Sequence, residues 1–249
     1  MAYNKEELAA QVLAKLKGFI SGVDLSGTAL ALSGGLDSSV ILALSPESLL
    51  SYVTGLEDSK DVITARETSR LLKRKCREIT VSRDDVVIYA RTILEIDPHI
   101  DLRDLCFETV LAVLLDRSEE KTIITGQGAD EIFYGYSRFL TDSILTNGEA
   151  LEKLHNITLP RENRIASYFG KKIICPYLES GIFEIPGICE RENNISGKEN
   201  KIILREVASI IGIPSEIAMR KKKAAQYGSG FMKILKKDLF PELIRHRDL

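Results

Sequence analysis

The sequence lacks the features of a nucleic-acid-binding, secreted or membrane protein. Its 249 residues carry 34 Lys and Arg against 36 Asp and Glu, so no basic excess favours a nucleic-acid ligand. No apolar run reaches the length that spans a membrane. Charged residues among the first seventeen predict an amphipathic helix rather than a signal peptide. We therefore expect a cytoplasmic protein that binds neither membrane nor nucleic acid.

Cysteine and histidine are also scarce. None of the cysteines forms a Cys-x-x-Cys pair, which predicts free thiols in a reducing compartment. They are Cys76, Cys106, Cys175 and Cys189. The histidines lack the spacing of metal ligands, and we expect them to be structural or on the surface. They are His99, His155 and His246.

Apolar runs alternate with helical periodicity through the first half of the chain. The predicted strands are 28–32, 49–54, 77–81 and 121–125. The predicted helices are 6–20, 61–73 (with Asp61 as N-cap), 84–95 and 101–116. This alternation predicts a doubly wound parallel α/β sheet with helices on both faces. We expect an N-terminal helix (1–22), a nucleotide-binding core (23–145) and a mostly helical C-terminal part (146–249).

One glycine turn joins the first predicted strand to the next helix. It reads Ser33-Gly34-Gly35-Leu36-Asp37-Ser38-Ser39. Glycines let backbone approach a ligand closely, and the unpaired amides at a helix start attract phosphate. Asp37 would repel phosphate unless a cation lay between them, so we interpret it as a Mg²⁺ ligand. An ordinary glycine turn capped by serines is the alternative.

The heptad resembles the loop of the ATP pyrophosphatases, which bind the β,γ-pyrophosphate of ATP and cleave ATP to AMP. It differs from the nucleotide loop that ends in Gly-Lys-Ser/Thr, since no lysine follows the glycines. The resemblance implies an adenine nucleotide α-hydrolase-like fold. It also implies that residues 33–38 contact the nucleotide, namely Ser33, Gly34, Gly35, Leu36, Asp37 and Ser38.

A second glycine-bearing turn follows the fourth predicted strand. It reads Thr125-Gly126-Gln127-Gly128-Ala129-Asp130-Glu131. Ligands of open parallel sheets bind beyond the carboxyl ends of the strands, where the strand order reverses. If the first and fourth strands are neighbours there, Asp130 supplies a second carboxylate to the same Mg²⁺. Otherwise Asp130 and Glu131 would only cap the following helix.

Together the two motifs resemble the synthetase domain of the asparagine synthetase family, which includes the β-lactam synthetases. Leu32 and Thr54 fall where that family contacts adenine, and Thr125-Gly126 where it touches the nucleotide from the fourth strand. Two later stretches, 173–179 and 220–230, resemble its Arg-x-Pro-Phe-Leu-Asp segment and its C-terminal lysine loop.

The resemblance implies that a carboxylate attacks the α-phosphorus of ATP, releasing pyrophosphate, and that ammonia or another amine then displaces AMP. Lys222 aligns best with the family's catalytic lysine, and Lys223 is the alternative one step along. A solvated basic face is the other interpretation of this run. Arg103 aligns with an arginine that the intermediate needs, although a surface pair with Asp101 is the competing interpretation.

Two departures from the family concern the nitrogen donor. Asparagine synthetases usually carry Glu, and β-lactam synthetases Tyr, where this chain has Gln127, which cannot act as a base. Residue 2 is Ala rather than the nucleophilic Cys of a glutaminase domain. We therefore expect free ammonia, another amine or a separate glutaminase subunit to supply nitrogen to a small carboxylate such as aspartate.

Two other functions stay open. An RNA-modifying ATP pyrophosphatase would adenylate a tRNA base, but the near-neutral charge and the lack of paired cysteines disfavour it. A non-catalytic nucleotide-binding protein would fit Gln127 and the short second part. Neither the acceptor nor the oligomeric state follows from the sequence.

Overall fold

The fold is a five-stranded parallel sheet covered by helices on both faces. The computed structural model describes residues 3–220 and 228–239. The strands are β1 (Thr28–Ala31), β2 (Leu50–Gly55), β3 (Cys76–Thr80), β4 (Thr122–Ile124) and β5 (Lys172–Ile174). Their order in the sheet is β3-β2-β1-β4-β5, and every neighbouring pair is parallel.

The longer helices connect these strands. They are α1 (Lys5–Gly22), α2 (Leu36–Leu44), α3 (Lys60–Leu71), α4 (Arg83–Ile96), α5 (Leu102–Arg117), α9 (Leu159–Tyr168), α12 (Ile202–Ile210) and α14 (Phe231–Asp238). The shorter ones are α6 (Ala129–Ile132), α7 (Arg138–Thr141), α8 (Gly148–Lys153), α10 (Pro176–Glu179), α11 (Arg191–Asn194) and α13 (Ser215–Ala218). A π-helical turn (Leu154–Thr158) and a 3₁₀ turn (Ile182–Glu184) complete the described helices.

Two apolar cores lie on opposite faces of the sheet. Leu30 packs into the core formed with α1, α2, α3 and α12, whereas its neighbour Ala29 packs into the core formed with α4, α5 and α14. Adjacent strand residues point to opposite faces, so a strand that is apolar throughout is buried on both. The doubly wound fold class expected from the alternating pattern is confirmed.

The strand order reverses at β1. On one side β1 pairs with β2, and on the other it pairs with β4, with Thr28 opposite Thr122 and Leu30 opposite Ile124. The loops that leave β1 and β4 therefore emerge side by side. The first and fourth strands are therefore neighbours, which was the condition for the two glycine turns to lie close together.

Two details differ from the sequence prediction. The helix expected from Asp61 begins at Lys60, with Ser59 at the N-cap position, and Asp61 lies buried in its first turn. An added Cβ at Gly228 would lie 1.8 Å from Asp61 Oδ1, so this carboxylate packs against the chain near its end rather than capping α3. The stretch that resembles the family's Arg-x-Pro-Phe-Leu-Asp segment begins within β5, a strand contributed from beyond residue 146. The division of the chain at 145 stays a prediction.

Candidate functional site

The turn after β1 depends on Gly34. Its φ of +74° is unfavourable for residues with a side chain. A Cβ there would also lie 2.7 Å from the Thr64 carbonyl carbon and 2.8 Å from the Ala65 nitrogen, both backbone atoms of α3. The Gly34 carbonyl accepts hydrogen bonds from Thr68 Oγ1 at 3.1 Å and Arg220 Nη1 at 2.8 Å. Contacts with α3 and Arg220 thus fix the conformation of this turn.

The first turn of α2 presents its backbone amides beside the turn after β1. Gly35 is its N-cap and has no side chain with which to cap this end of the helix. Ser38 and Ser39 direct their hydroxyls back to the Gly35 carbonyl, at 3.4 and 2.7 Å, and Ser33 Oγ lies 3.2 Å from Ser38 Oγ. The uncapped amides keep their donors and the partial positive charge of the helix end. The arrangement suits a phosphate group.

The turn after β4 packs directly on this helix start. A Cβ at Gly126 would lie 3.2 Å from Asp37 Cβ and 3.4 Å from the Ser38 nitrogen. The Thr125 amide donates to the Ile174 carbonyl at 2.9 Å, which continues the ladder with β5. The structure therefore brings Thr125 and Gly126 beside residues 37–38.

Lys201 joins the two aspartates. Its Nζ atom lies 2.5 Å from Asp37 Oδ1 and 2.6 Å from Asp130 Oδ1, so these two oxygens lie within about 5 Å of each other. Asp37 and Lys201 are 3% and 4% exposed. The convergence expected of Asp37 and Asp130 is present, and Lys201 is a contact that the sequence analysis missed. Nothing in the sequence marked it as a site residue.

The residues present fit a magnesium ion bound with a nucleotide. Mg²⁺ prefers one or two carboxylates together with phosphate oxygens and waters, rather than a cage of protein ligands. Asp37 and Asp130 supply two carboxylates beside an anion-binding helix start. No group of three or more His, Cys, Asp or Glu with metal-site geometry occurs in residues 3–220 and 228–239. The metal role of both aspartates stays a prediction.

Gln127 binds a buried carboxyl group. Its Nε2 donates to Glu162 Oε1 at 2.9 Å, and Glu162 is 3% exposed on α9. Burial, and then the nearby charges of Glu108 and Glu131, raise the pKa of Glu162 well above its ordinary value. Burial likewise raises the pKa of Glu108 to about 8. Sequence reasoning stopped at the side chain of Gln127 and missed Glu162, which lies 35 positions away.

One buried cation accompanies these acids. Arg161 Nε lies 2.8 Å from Asp97 Oδ2, and its Nη1 lies 3.1 Å from Asp104 Oδ2 and 3.4 Å from Glu108 Oε1. Glu108 Oε2 has no hydrogen-bond partner among the described residues. A buried carboxylate short of donors favours its protonated form, which agrees with the raised pKa.

The positions expected to contact adenine lie at the same edge of the sheet. The Leu32 amide donates to the Tyr52 carbonyl at 2.8 Å, extending the pairing of β1 with β2, and its side chain is buried. Thr54 is buried near the end of β2, and its Oγ1 has no partner within the described part of the chain. The adenine contact of both residues stays a prediction.

Arg103 lines a cavity at the start of α5. It is exposed near the start of α5 and lines a cavity of about 480 Å³ together with Asp101, Leu102, Lys153, Met232 and Lys236. Asp101 caps α5 by accepting from the Asp104 amide at 2.9 Å. No ion pair of Arg103 with Asp101 is found within the described ranges. The role of Arg103 in the reaction stays a prediction.

Lys222 and Lys223 fall outside the described residues, but both flanks of their segment are placed. On one side Arg220 binds the Gly34 carbonyl. On the other the Ser229 carbonyl accepts from the Leu56 amide at 3.0 Å, just beyond β2.

All four cysteines are free, as predicted from their spacing. No helix in the described part of the chain is long and apolar enough to cross a membrane.

Fold and site together define a doubly wound α/β protein with a glycine turn at a helix start and a carboxylate pair at the switch point of the sheet. The chain belongs to the asparagine synthase family, whose sequence profile it matches over residues 27–155 and 149–247. The family expected from the two glycine motifs is thus confirmed.

Individual relatives carry related names. The chain is 28% identical over 263 aligned residues to a protein of Methanocaldococcus jannaschii described provisionally as a glutamine-hydrolysing asparagine synthetase, covering 88% of this chain and 48% of that protein. It is 25% identical to asparagine synthetase B (glutamine-hydrolysing) of Escherichia coli, over 80% of this chain and 41% of the other. The chain thus spans about half the length of these relatives.

Among solved structures, the NMN synthetase of Francisella tularensis superposes with a TM-score of 0.46 at 13% identity, over 91% of this chain and 78% of the other.

Proposed function

We propose that this chain is an ATP-dependent amide ligase that adenylates a small carboxylate, such as aspartate, and then transfers ammonia or another amine to it. The observation that carries the proposal is the meeting of Asp37 and Asp130 on one Lys201 ammonium, beside the uncapped start of α2. Family membership supports the same chemistry.

The first step would depend on positioning and charge neutralisation. The amides of α2 would bind the pyrophosphate end of ATP, and Asp37 and Asp130 would hold Mg²⁺, which neutralises the charge that grows on the leaving pyrophosphate. Leu32, Thr54, Thr125 and Gly126 would surround the rest of the nucleotide. Lys222, which aligns with the family's catalytic lysine, would stabilise the negative charge at the α-phosphate.

The second step needs a proton acceptor, because the nitrogen of the attacking amine becomes positively charged and must lose a proton to give the amide. Gln127 has no such group, whereas Glu162, bonded to it at 2.9 Å, has one. The raised pKa of Glu162 makes its carboxylate a stronger base than an exposed glutamate. We assign proton removal to Glu162 and orientation of the amine to Gln127, and Arg103 would bind the acceptor or the intermediate.

The nitrogen source and setting are parts of the proposal. The relatives named above are described as glutamine-hydrolysing, and this chain matches about half of their length. We propose free ammonia, another amine or a separate glutaminase subunit as the nitrogen source. We propose a cytoplasmic location and no nucleic-acid partner.

The test is ATP–pyrophosphate exchange screened across aspartate and other carboxylic acids. We expect one carboxylate to stimulate exchange, Asp37→Asn and Asp130→Asn to abolish it, and Lys222→Ala to reduce it while nucleotide binding is kept. The exposed Asp84, replaced by Asn, is the matched control. Nucleotide binding without exchange for any acid would contradict the ligase and favour a non-catalytic binding protein.

A further inference from the structure

Lys201 occupies an unusual position for a lysine. It is 4% exposed and precedes α12 with φ of +56°, in the left-handed region that a residue with a side chain seldom adopts. Its ammonium contacts one carboxylate from each glycine turn. Burial of a lysine and a strained backbone are both costly, and such combinations persist at functional sites.

The backbone of Lys201 is fixed from several directions. Asn200 Nδ2 donates to the Gly135 carbonyl at 2.6 Å, and Arg205 Nε donates to the Asn200 carbonyl at 2.7 Å. An added Cβ at Gly135 would lie 2.2 Å from Lys201 Cε and 1.9 Å from Asp130 Oδ1, so Gly135 leaves room for both groups. Any movement at this contact must therefore come from the lysine side chain rather than from its backbone.

Charge explains what the ammonium does there. Two carboxylates with oxygens within about 5 Å of each other repel in a buried site, and a positive charge between them removes that repulsion. A divalent cation would serve the same purpose with the same two oxygens. Both cations at once would repel each other at close range, because the site screens charge poorly.

We propose that Lys201 and the divalent cation are alternative occupants of the Asp37–Asp130 pair. The lysine holds the pair together before substrate arrives and lowers its affinity for metal alone. The negative charge of a nucleotide triphosphate shifts the balance towards the metal, so the cation enters with ATP rather than ahead of it. This inference rests on the metal role in the proposed function.

The test uses Mn²⁺ alone as the probe, titrated without nucleotide and followed by electron paramagnetic resonance of the free ion. We expect Lys201→Met to bind Mn²⁺ at least tenfold more tightly than the unchanged protein. The matched control is Lys198→Met, an exposed lysine three residues earlier, which should leave the affinity unchanged. Adding Asp130→Asn to Lys201→Met should remove the tight binding. Equal or weaker Mn²⁺ binding by folded Lys201→Met would overturn the inference.

A second measurement uses the unchanged protein, in case Lys201→Met does not fold. Lysine acylation, mapped by mass spectrometry, should label Lys201 several-fold faster with saturating Mn²⁺ than without it, relative to Lys198. Equal labelling at saturation would contradict release of the lysine. If Asp37→Asn loses exchange activity but Lys201→Met binds Mn²⁺ with unchanged affinity, this inference fails and the proposed function stands. If exchange proceeded without any divalent metal, the metal role in the proposed function would fail as well.

Discussion

The side-chain amide of Gln127 donates to Glu162 Oε1 at 2.9 Å, which joins the turn after β4 to the buried acids of α5 and α9. Glu162, Glu108 and Glu131 are each no more than 5% exposed, and the charges of Glu108 and Glu131 add to burial in raising the pKa of Glu162. The site thus has a buried carboxyl group next to a residue that cannot itself take up a proton.

The variant Glu162→Gln tests the second half-reaction. Because the pKa of Glu162 is raised, its carboxylate fraction in the unchanged protein should grow as pH rises, and amide formation should rise with it. The variant should lose this rise and form amide about 10²–10⁴-fold more slowly, while ATP–pyrophosphate exchange is kept. The measurement compares both rates across pH at a fixed concentration of unprotonated amine. The same pH dependence in both proteins would rule out Glu162 as the proton acceptor.

Glu108 should make the folded state less stable as pH rises. Its pKa of about 8 exceeds the ordinary value of 4.5, so between these values the folded protein keeps a proton that the unfolded chain releases. The free energy of unfolding should therefore fall as pH rises through this window. In Glu108→Gln the loss of unfolding free energy across this pH range should be smaller by at least about 1 kcal/mol. This energy corresponds to a pKa shift of somewhat less than one unit. Urea unfolding at several pH values measures it, with the exposed Glu95→Gln as control; an unchanged slope would exclude Glu108 as the cause.

Gly34→Ala should disrupt the first turn. A left-handed residue with a side chain costs about 1–2 kcal/mol, and here the new Cβ would also collide with the backbone of α3. We expect destabilisation greater than that cost, together with loss of ATP binding. Gly27→Ala is the matched control, because Gly27 has φ of +65° and open space around its Cβ position. Equal effects of the two substitutions on unfolding and on ATP binding would argue against a special role for Gly34.

Arg220→Met should weaken ATP binding. Arg220 Nη1 donates to the Gly34 carbonyl at 2.8 Å and to Thr68 Oγ1 at 2.7 Å, so it fixes the turn after β1 against α3. Loss of these charge-assisted bonds should raise the Kd of ATP about tenfold, equivalent to about 1.4 kcal/mol. Calorimetric titration measures the change, and Arg66→Met, which removes an exposed ion pair with Glu78, should leave it unaltered. An unaffected Kd in Arg220→Met would show that the turn does not need this anchor.

Local signals sufficed for the elements and the two turns. Apolar strands alternating with amphipathic helices determine a parallel sheet covered on both faces, since each element must bury its apolar side. Two glycine-bearing motifs, 33–39 and 125–131, predicted the two turns of the candidate site. Close approach of the backbone to a ligand favours glycine, and Mg²⁺ binding favours carboxylates. The short strand β5 gave a weaker signal, since its three residues are too few to show a periodicity.

The sequence by itself determined the family, the doubly wound sheet and the two aspartates, because these follow from the order of residues along the chain. Only the tertiary structure decided that Lys201 lies between those aspartates and that Glu162 lies behind Gln127. Lys201 follows Asp37 by 164 positions and Glu162 follows Gln127 by 35. Contacts at such separations depend on how helices pack over the sheet, which no local spacing encodes.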